Sequence, residues 1–130
     1  MILGVGIDIV SIKRIERVYN KYPDRLIKRL LTRQEENLFA EKGSPVNTLA
    51  ALYAAKEAVL KAIGCGIGPA SFNEVEVIAY PGRQPRVELY GEALRLAAEK
   101  SISDVAVSVA HEPPFACACA TAFNVPGNCN

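Results

Sequence analysis

Apolar positions recur along this 130-residue chain in two rhythms. Residues 2–10, ILGVGIDIV, alternate on a period of two. Leu3, Val5, Ile7 and Ile9 share one side, and Ile2, Gly4, Gly6, Asp8 and Val10 the other. This predicts a buried strand whose two glycines leave room for a close-packed neighbour. From Ser11, an N-cap candidate, a basic amphipathic helix follows with Ile12, Ile15 and Val18 on its inner side. Pro23 interrupts it, and a second short helix is expected over 24–31. Thr32 and Glu35 form a capping-box pattern that opens another helix to about Glu41, and Gly43, Ser44 and Pro45 turn the chain.

The rhythm then changes. Residues 46–63, VNTLAALYAAKEAVLKAI, read as one long helix that is apolar on nearly every side and therefore buried. Asn47 or Thr48 is expected to cap its start, and Gly64 stands where a left-handed C-cap is wanted. A stripe of Ala51, Ala54, Ala58 and Ala62 is a natural occupant of the space left by Gly4 and Gly6. That packing turns Asp8 toward Glu57.

The second half reads as EVEVIAY and RVELY around a Pro81-Gly82 turn, a short amphipathic helix over 91–100, and two strands, DVAVSVAH and FACACATAF. Ala116, Ala118, Ala120 and Ala122 make a second face of small residues, whereas Cys117 and Cys119 on the other face are read as core. The expected fold is α+β, a single domain over residues 1–124, with a disordered tail over 125–130.

Composition adds three limits. Half the residues are apolar and the net charge is only +1, enough for one core and too balanced for a global basic or acidic field. Residues 13–33 nevertheless hold eight basic side chains against Glu16 and Asp24, a local excess of +6. The N-terminus has no basic lead and contains an Asp, and no apolar run approaches membrane-spanning length. Cys65, Cys117, Cys119 and Cys129 have neither zinc-type nor disulfide-framework spacing. A cytoplasmic protein with reduced thiols is expected.

Chemistry concentrates on the long helix, because Lys56, Glu57 and Lys61 are costly in a buried element unless paired or bound to something. Two carboxylates in an apolar setting repel unless a cation sits between them, and oxygen-only ligation suits Mg²⁺ sharing its shell with substrate phosphates. The plainer reading of Glu57 and Lys61 is an i,i+4 helical ion pair, and of Asp8 a cap at a strand end. Lys61 lies along the side of Glu57, whereas Lys56 is rotated away and reads as structural. Gly64, Gly66 and Gly68 allow a phosphate near the backbone, a weak signal by itself. His111 alone reads as a structural residue, and Ser108 has no base at a useful spacing. The basic face reads by default as solvated; near-zero net charge and few aromatics argue against a nucleic-acid binder.

Three motifs in order, GVGIDIVSIKRI (4–15), LAALYAAKEAVLKAIGCGIG (49–68) and VAVSVAHE (105–112), resemble the small bacterial type of 4′-phosphopantetheinyl transferase, the holo-(acyl-carrier-protein) synthases. LLTRQEENLF (30–39) and the PGRQP turn extend the likeness to about residues 1–123. The resemblance implies the 4′-phosphopantetheinyl transferase fold, an antiparallel sheet packed on one long buried helix. It implies transfer of the phosphopantetheine arm of coenzyme A to a serine of an apo acyl carrier protein, releasing adenosine 3′,5′-bisphosphate. Asp8 and Glu57 would hold Mg²⁺ against the pyrophosphate, and Lys61 would neutralise phosphate charge or assist proton transfer. Gly64, Gly66, Pro85, Ser108 and His111 would bind coenzyme A, and Arg14, Arg17, Lys21 and Arg25 would dock the acidic helix of the carrier. A homotrimer with its sites at subunit interfaces is implied as well.

The chain departs from the family pattern at Leu52, where an arginine is common, at Ala110 in place of a serine or threonine, and at Gln84 in place of a lysine. The implied consequence is a looser grip on the nucleotide, with the metal pair and Lys61 untouched. The rival from another class is a non-catalytic relative that binds coenzyme A or a carrier. The serine's proton acceptor is left open between Asp8, a water held by the metal and Lys61.

Overall fold

The computed structural model describes residues 1–65 and 70–126. In chain order it runs β1 (Ile2–Ser11), α1 (Ile12–Lys21), α2 (Pro23–Leu30), α3 (Arg33–Glu41), α4 (Val46–Ala62), a 3-10 turn (Phe72–Glu74), β2 (Val75–Ile78), β3 (Arg86–Leu89), α5 (Gly91–Glu99), β4 (Asp104–Glu112) and β5 (Phe115–Phe123). The strands form one sheet in the order β1-β5-β4-β3-β2, each neighbouring pair antiparallel. Helix α4 lies across one face of that sheet, so the expected α+β arrangement of an antiparallel sheet on one long helix is the one formed.

Small residues decide how closely the two layers approach. A methyl group on Gly6 would stand 1.9 Å from the carbonyl oxygen of Ala58, and one on Gly4 1.9 Å from that of Ala62. The α4 backbone therefore rests directly on β1, and buried Ala116, Ala118, Ala120 and Ala122 of β5 pave the sheet beside it. Of the helix stripe, Ala54, Ala58 and Ala62 are buried and Ala51 is half-buried.

Several expectations change. The Leu3, Val5, Ile7 and Ile9 side of β1 is not buried but 41–68 % exposed, because no helix among the described residues covers that face of the sheet. Cys117 and Cys119 pair with Ile9 and Ile7 on this open face and are half-buried and exposed, so the alanines, not the cysteines, form the core side of β5. In α1 the inner row is Ile12, Ile15 and Tyr19, whose ring meets Phe39 edge-on at 6.0 Å; Val18 is exposed. Pro45 is the N-cap of α4, so Asn47 and Thr48 fall inside its first turn and neither caps it.

Other details agree with the pattern. Thr32 and Glu35 form both bonds of the capping box, Ser11 caps α1, and Gly64 takes the left-handed φ of +77°. Of the tail, Val125 donates its N–H to Ser103 Oγ at 2.9 Å, and residues 127–130 lie outside the described residues.

Candidate functional site

Asp8 stands on the inner face of β1 opposite Ala118, whose small side chain leaves space above it. Its Oδ1 accepts a hydrogen bond from Lys61 Nζ at 3.3 Å, and the same ammonium donates to the carbonyl oxygen of Ile7 at 3.0 Å. Its Oδ2 is buried and has no hydrogen-bond partner. A buried carboxylate oxygen without a donor is costly, and it marks a place where a positive ligand is wanted.

Glu57 is half-buried on the α4 face above β1. Burial raises its carboxyl above the ordinary carboxylate range, the charge of Asp8 raises it further, and Lys61 partly offsets both. The closeness of Asp8 to Glu57 expected from the glycine–alanine packing is thus realised, and the pair repels. Glu57 and Lys61 form no salt bridge among the described residues, so the plain helical-pair reading fails: Lys61 turns across to the strand.

The donor set fits a hard divalent cation. Among the described residues no group of three or more His, Cys, Asp or Glu side chains converges, so a metal here would draw two carboxylates from the protein and its remaining ligands from elsewhere. That division suits Mg²⁺ bound with substrate phosphates. The orphaned Asp8 Oδ2 and the raised Glu57 carboxyl are the two observations that support it.

Tyr53 escaped the reading of the sequence, although its spacing from Glu57 and Lys61 repeats every four residues and gave the signal. Its ring packs on Phe72 at 5.2 Å, and its hydroxyl is held above its usual range, first by burial and then by Glu57. Arg14 and Lys61 act on it in the opposite sense, which sets Arg14 of α1 at the edge of the same site.

A groove of about 290 Å³, walled by α3, α4 and the sheet, opens on the flank of α4 turned away from Glu57, and neither carboxylate of the pair lines it. Leu52, Pro85 and His111 line it together, with Lys42 contributing an ammonium and Leu38, Phe39 and Val109 an apolar wall. Ser108 does not join them. It lies three residues from His111, and a step of three in a strand reverses the face, so Ser108 points to the open side with Cys119 and Ile7. Ala110 shares that side. Gly64 ends α4 beside Lys100, which donates to the carbonyl oxygen of Ile63 at 2.8 Å; Gly66 lies outside the described residues. A broader hollow of about 610 Å³ sits around Glu76, whose carboxylate is already satisfied by Thr32 and Tyr90, and none of the predicted site residues lines it.

On α1 and α2, Arg14, Arg17, Lys21 and Arg25 are exposed, and none is in a salt bridge among the described residues. Lys21 and Arg25 flank the ring of Tyr22 at 5.4 and 5.9 Å.

The family model for the 4′-phosphopantetheinyl transferase superfamily matches residues 4–120. The chain belongs to this superfamily. It is 40 % identical over 122 residues to holo-(acyl-carrier-protein) synthase from Alkaliphilus metalliredigens, covering 94 % of this chain and 99 % of that one. Among solved structures, holo-(acyl-carrier-protein) synthase from Neisseria meningitidis superposes with a TM-score of 0.86 at 40 % identity, covering 95 % of this chain and all of the other (100 %). The Helicobacter pylori synthase, solved in complex with coenzyme A, gives a TM-score of 0.78 at 31 % identity over 92 % of this chain and 99 % of that one.

Proposed function

We propose that this chain transfers the 4′-phosphopantetheine arm of coenzyme A to a serine of an apo acyl carrier protein in a Mg²⁺-dependent reaction. The serine hydroxyl gives its proton to a base at the site, and its oxygen forms a bond to the phosphorus that bears the pantetheine. The bond from that phosphorus to the bridging oxygen breaks, and the electron pair leaves with adenosine 3′,5′-bisphosphate. The observation that carries the reading is the half-buried Asp8–Glu57 pair with its orphaned Oδ2 beside the Lys61 ammonium.

Mg²⁺, held by Asp8 and Glu57, would supply charge neutralisation and orientation of the pyrophosphate. Lys61, 49 % exposed and bonded among the described residues only to Asp8 and a carbonyl, is free to swing onto phosphate oxygens and offset the charge that builds on the leaving group. The groove of Leu52, Pro85 and His111 is the proposed seat of the nucleotide end, with Lys42 the cation at hand where Leu52 offers none; because it lies on the flank of α4 away from Glu57, the pyrophosphate that goes with it would lie at the carboxylate pair of a neighbouring copy. The unpaired basic row of Arg14, Arg17, Lys21 and Arg25 docks an acidic helix of the carrier and ends, at Arg14, next to the site.

The proposed assembly is a homotrimer. Leu3, Val5, Ile7 and Ile9 form a contiguous exposed apolar face of the kind that marks an interface. Ser108, on that face, would reach a nucleotide only across such an interface. Cytoplasmic location belongs to the same proposal; no helix among the described residues is long and apolar enough to cross a membrane. Intact-mass analysis of an apo carrier incubated with the protein, coenzyme A and Mg²⁺ tests the reading. A gain of one phosphopantetheine arm is expected, and binding of coenzyme A without any gain would favour the non-catalytic rival.

A further inference from the structure

Lys56 is the next residue after Glu57 toward the N-terminus, and its side chain is 0 % exposed. Its ammonium donates three hydrogen bonds: to the carbonyl oxygen of Leu30 at 2.5 Å, to Glu35 Oε1 at 2.5 Å and to the carbonyl oxygen of Phe72 at 3.1 Å. An ammonium has three N–H donors, so all are used. Glu35 is equally committed. Its Oε1 also accepts from Thr32 N at 2.9 Å, and its Oε2 from Val77 N at 2.8 Å.

One side chain of α4 therefore ties together the end of α2, the start of α3, the 3-10 turn and β2. On a helix that turns about 100° per residue, Lys56 and Ala58 lie roughly 200° apart. The glycine face of β1 holds α4 at Ala58 and Ala62, and Lys56 holds it from the opposite side. Rotation of α4 about its axis is fixed by these two contacts, and rotation is what would carry Glu57 away from Asp8. Phe72, bonded through its carbonyl to Lys56, also supports the ring of Tyr53.

Resting on the metal-site reading above, we infer that Lys56 is a positioning residue for this site: its buried three-way clamp sets the azimuth of α4 and so the approach of Glu57 to Asp8. A buried ion pair is weak evidence of stability, since replacing both charges together is often neutral. A positioning role is therefore separable from a stabilising one by removing the two charges at once.

The test is Mn²⁺ binding, followed by the EPR signal of free Mn²⁺ in the presence of coenzyme A, with Lys56→Met and the double variant Glu35→Gln/Lys56→Met. The double variant leaves the carbonyls of Leu30 and Phe72 without the lysine donor and is expected to melt below the wild type; at a temperature where both are folded it should bind Mn²⁺ about tenfold more weakly, the usual cost of losing a group that orients a metal ligand. Its kcat should fall while the KM for coenzyme A stays near the wild-type value. Should both lysine variants fail to fold, Glu35→Gln decides: it keeps the Lys56 bonds to the Leu30 and Phe72 carbonyls but leaves the ammonium without its counter-ion, so a lower melting temperature is expected together with weaker Mn²⁺ binding at a temperature where the variant is folded. A folded variant that binds Mn²⁺ as the wild type does overturns the inference alone. A wild type that takes up no Mn²⁺ overturns the metal-site reading, and the inference with it.

Discussion

Lys61 spans from α4 to β1 and places its ammonium 3.3 Å from Asp8 Oδ1, so Glu57, four residues back on its own helix, has no salt bridge among the described residues. Glu57 thus keeps the penalty of burial and the repulsion of Asp8, which Lys61 only partly offsets. The site is built in tension, and that tension has consequences for stability as well as for catalysis.

The first is a pH dependence. Because the folded state raises the Glu57 carboxyl above its ordinary value of 4.5, folding favours the protonated form. The folded state then binds more protons than the unfolded one, so stability falls as pH rises from the ordinary carboxylate value through the raised folded one. Glu57→Gln should remove this loss and melt a few degrees higher than the wild type at neutral pH in EDTA. Thermal melts across pH, with and without Mg²⁺, check it; Mg²⁺ should narrow the gap by stabilising only the wild type.

The contact between β1 and α4 admits no added carbon. Gly6→Ala would drive a methyl group against the carbonyl oxygen of Ala58, and the helix must retreat from Asp8. A loss of roughly 1–3 kcal/mol or more is expected, read by urea denaturation. The folded fraction should also need more Mg²⁺ for activity.

The basic row is proposed to serve the carrier and not the nucleotide. Arg14→Ala and Arg25→Ala should each raise the KM for the carrier, on the order of tenfold for Arg14, with little change in the KM for coenzyme A. The effect should fade as salt rises. Steady-state kinetics at two ionic strengths make the measurement, and equal effects on both substrates would remove the docking role.

The open sheet face should hold copies of the chain together. Ile7→Glu puts a charge at a position that is 68 % exposed in the single chain and points away from the core. Its fold should persist while its mass by light scattering drops from three chains to one.

Much of this was written in the residue pattern. Glycines at 4 and 6 facing alanines at 58 and 62 gave the closeness of strand and helix, and with it the meeting of Asp8 and Glu57. The capping box at Thr32 was local and therefore readable. The outward direction of Leu3 to Ile9 was not, because alternation marks a face that wants covering without saying what covers it. The partners of Lys56 lie 26, 21 and 16 residues away along the chain, so a local pattern could label it structural but not name its role. The strand period separates Ser108 from His111, whereas the family resemblance that grouped them does not say which face each takes.

The most direct measurement compares wild type, Asp8→Asn and Glu57→Gln by intact mass of an apo acyl carrier protein after incubation with coenzyme A, in Mg²⁺ and in EDTA. The account predicts a gain of one phosphopantetheine arm with wild type in Mg²⁺, none in EDTA, and a rate lower by at least about a hundredfold in either variant. Transfer at the wild-type rate by a folded Asp8→Asn or Glu57→Gln protein, or transfer undiminished in EDTA, would contradict it.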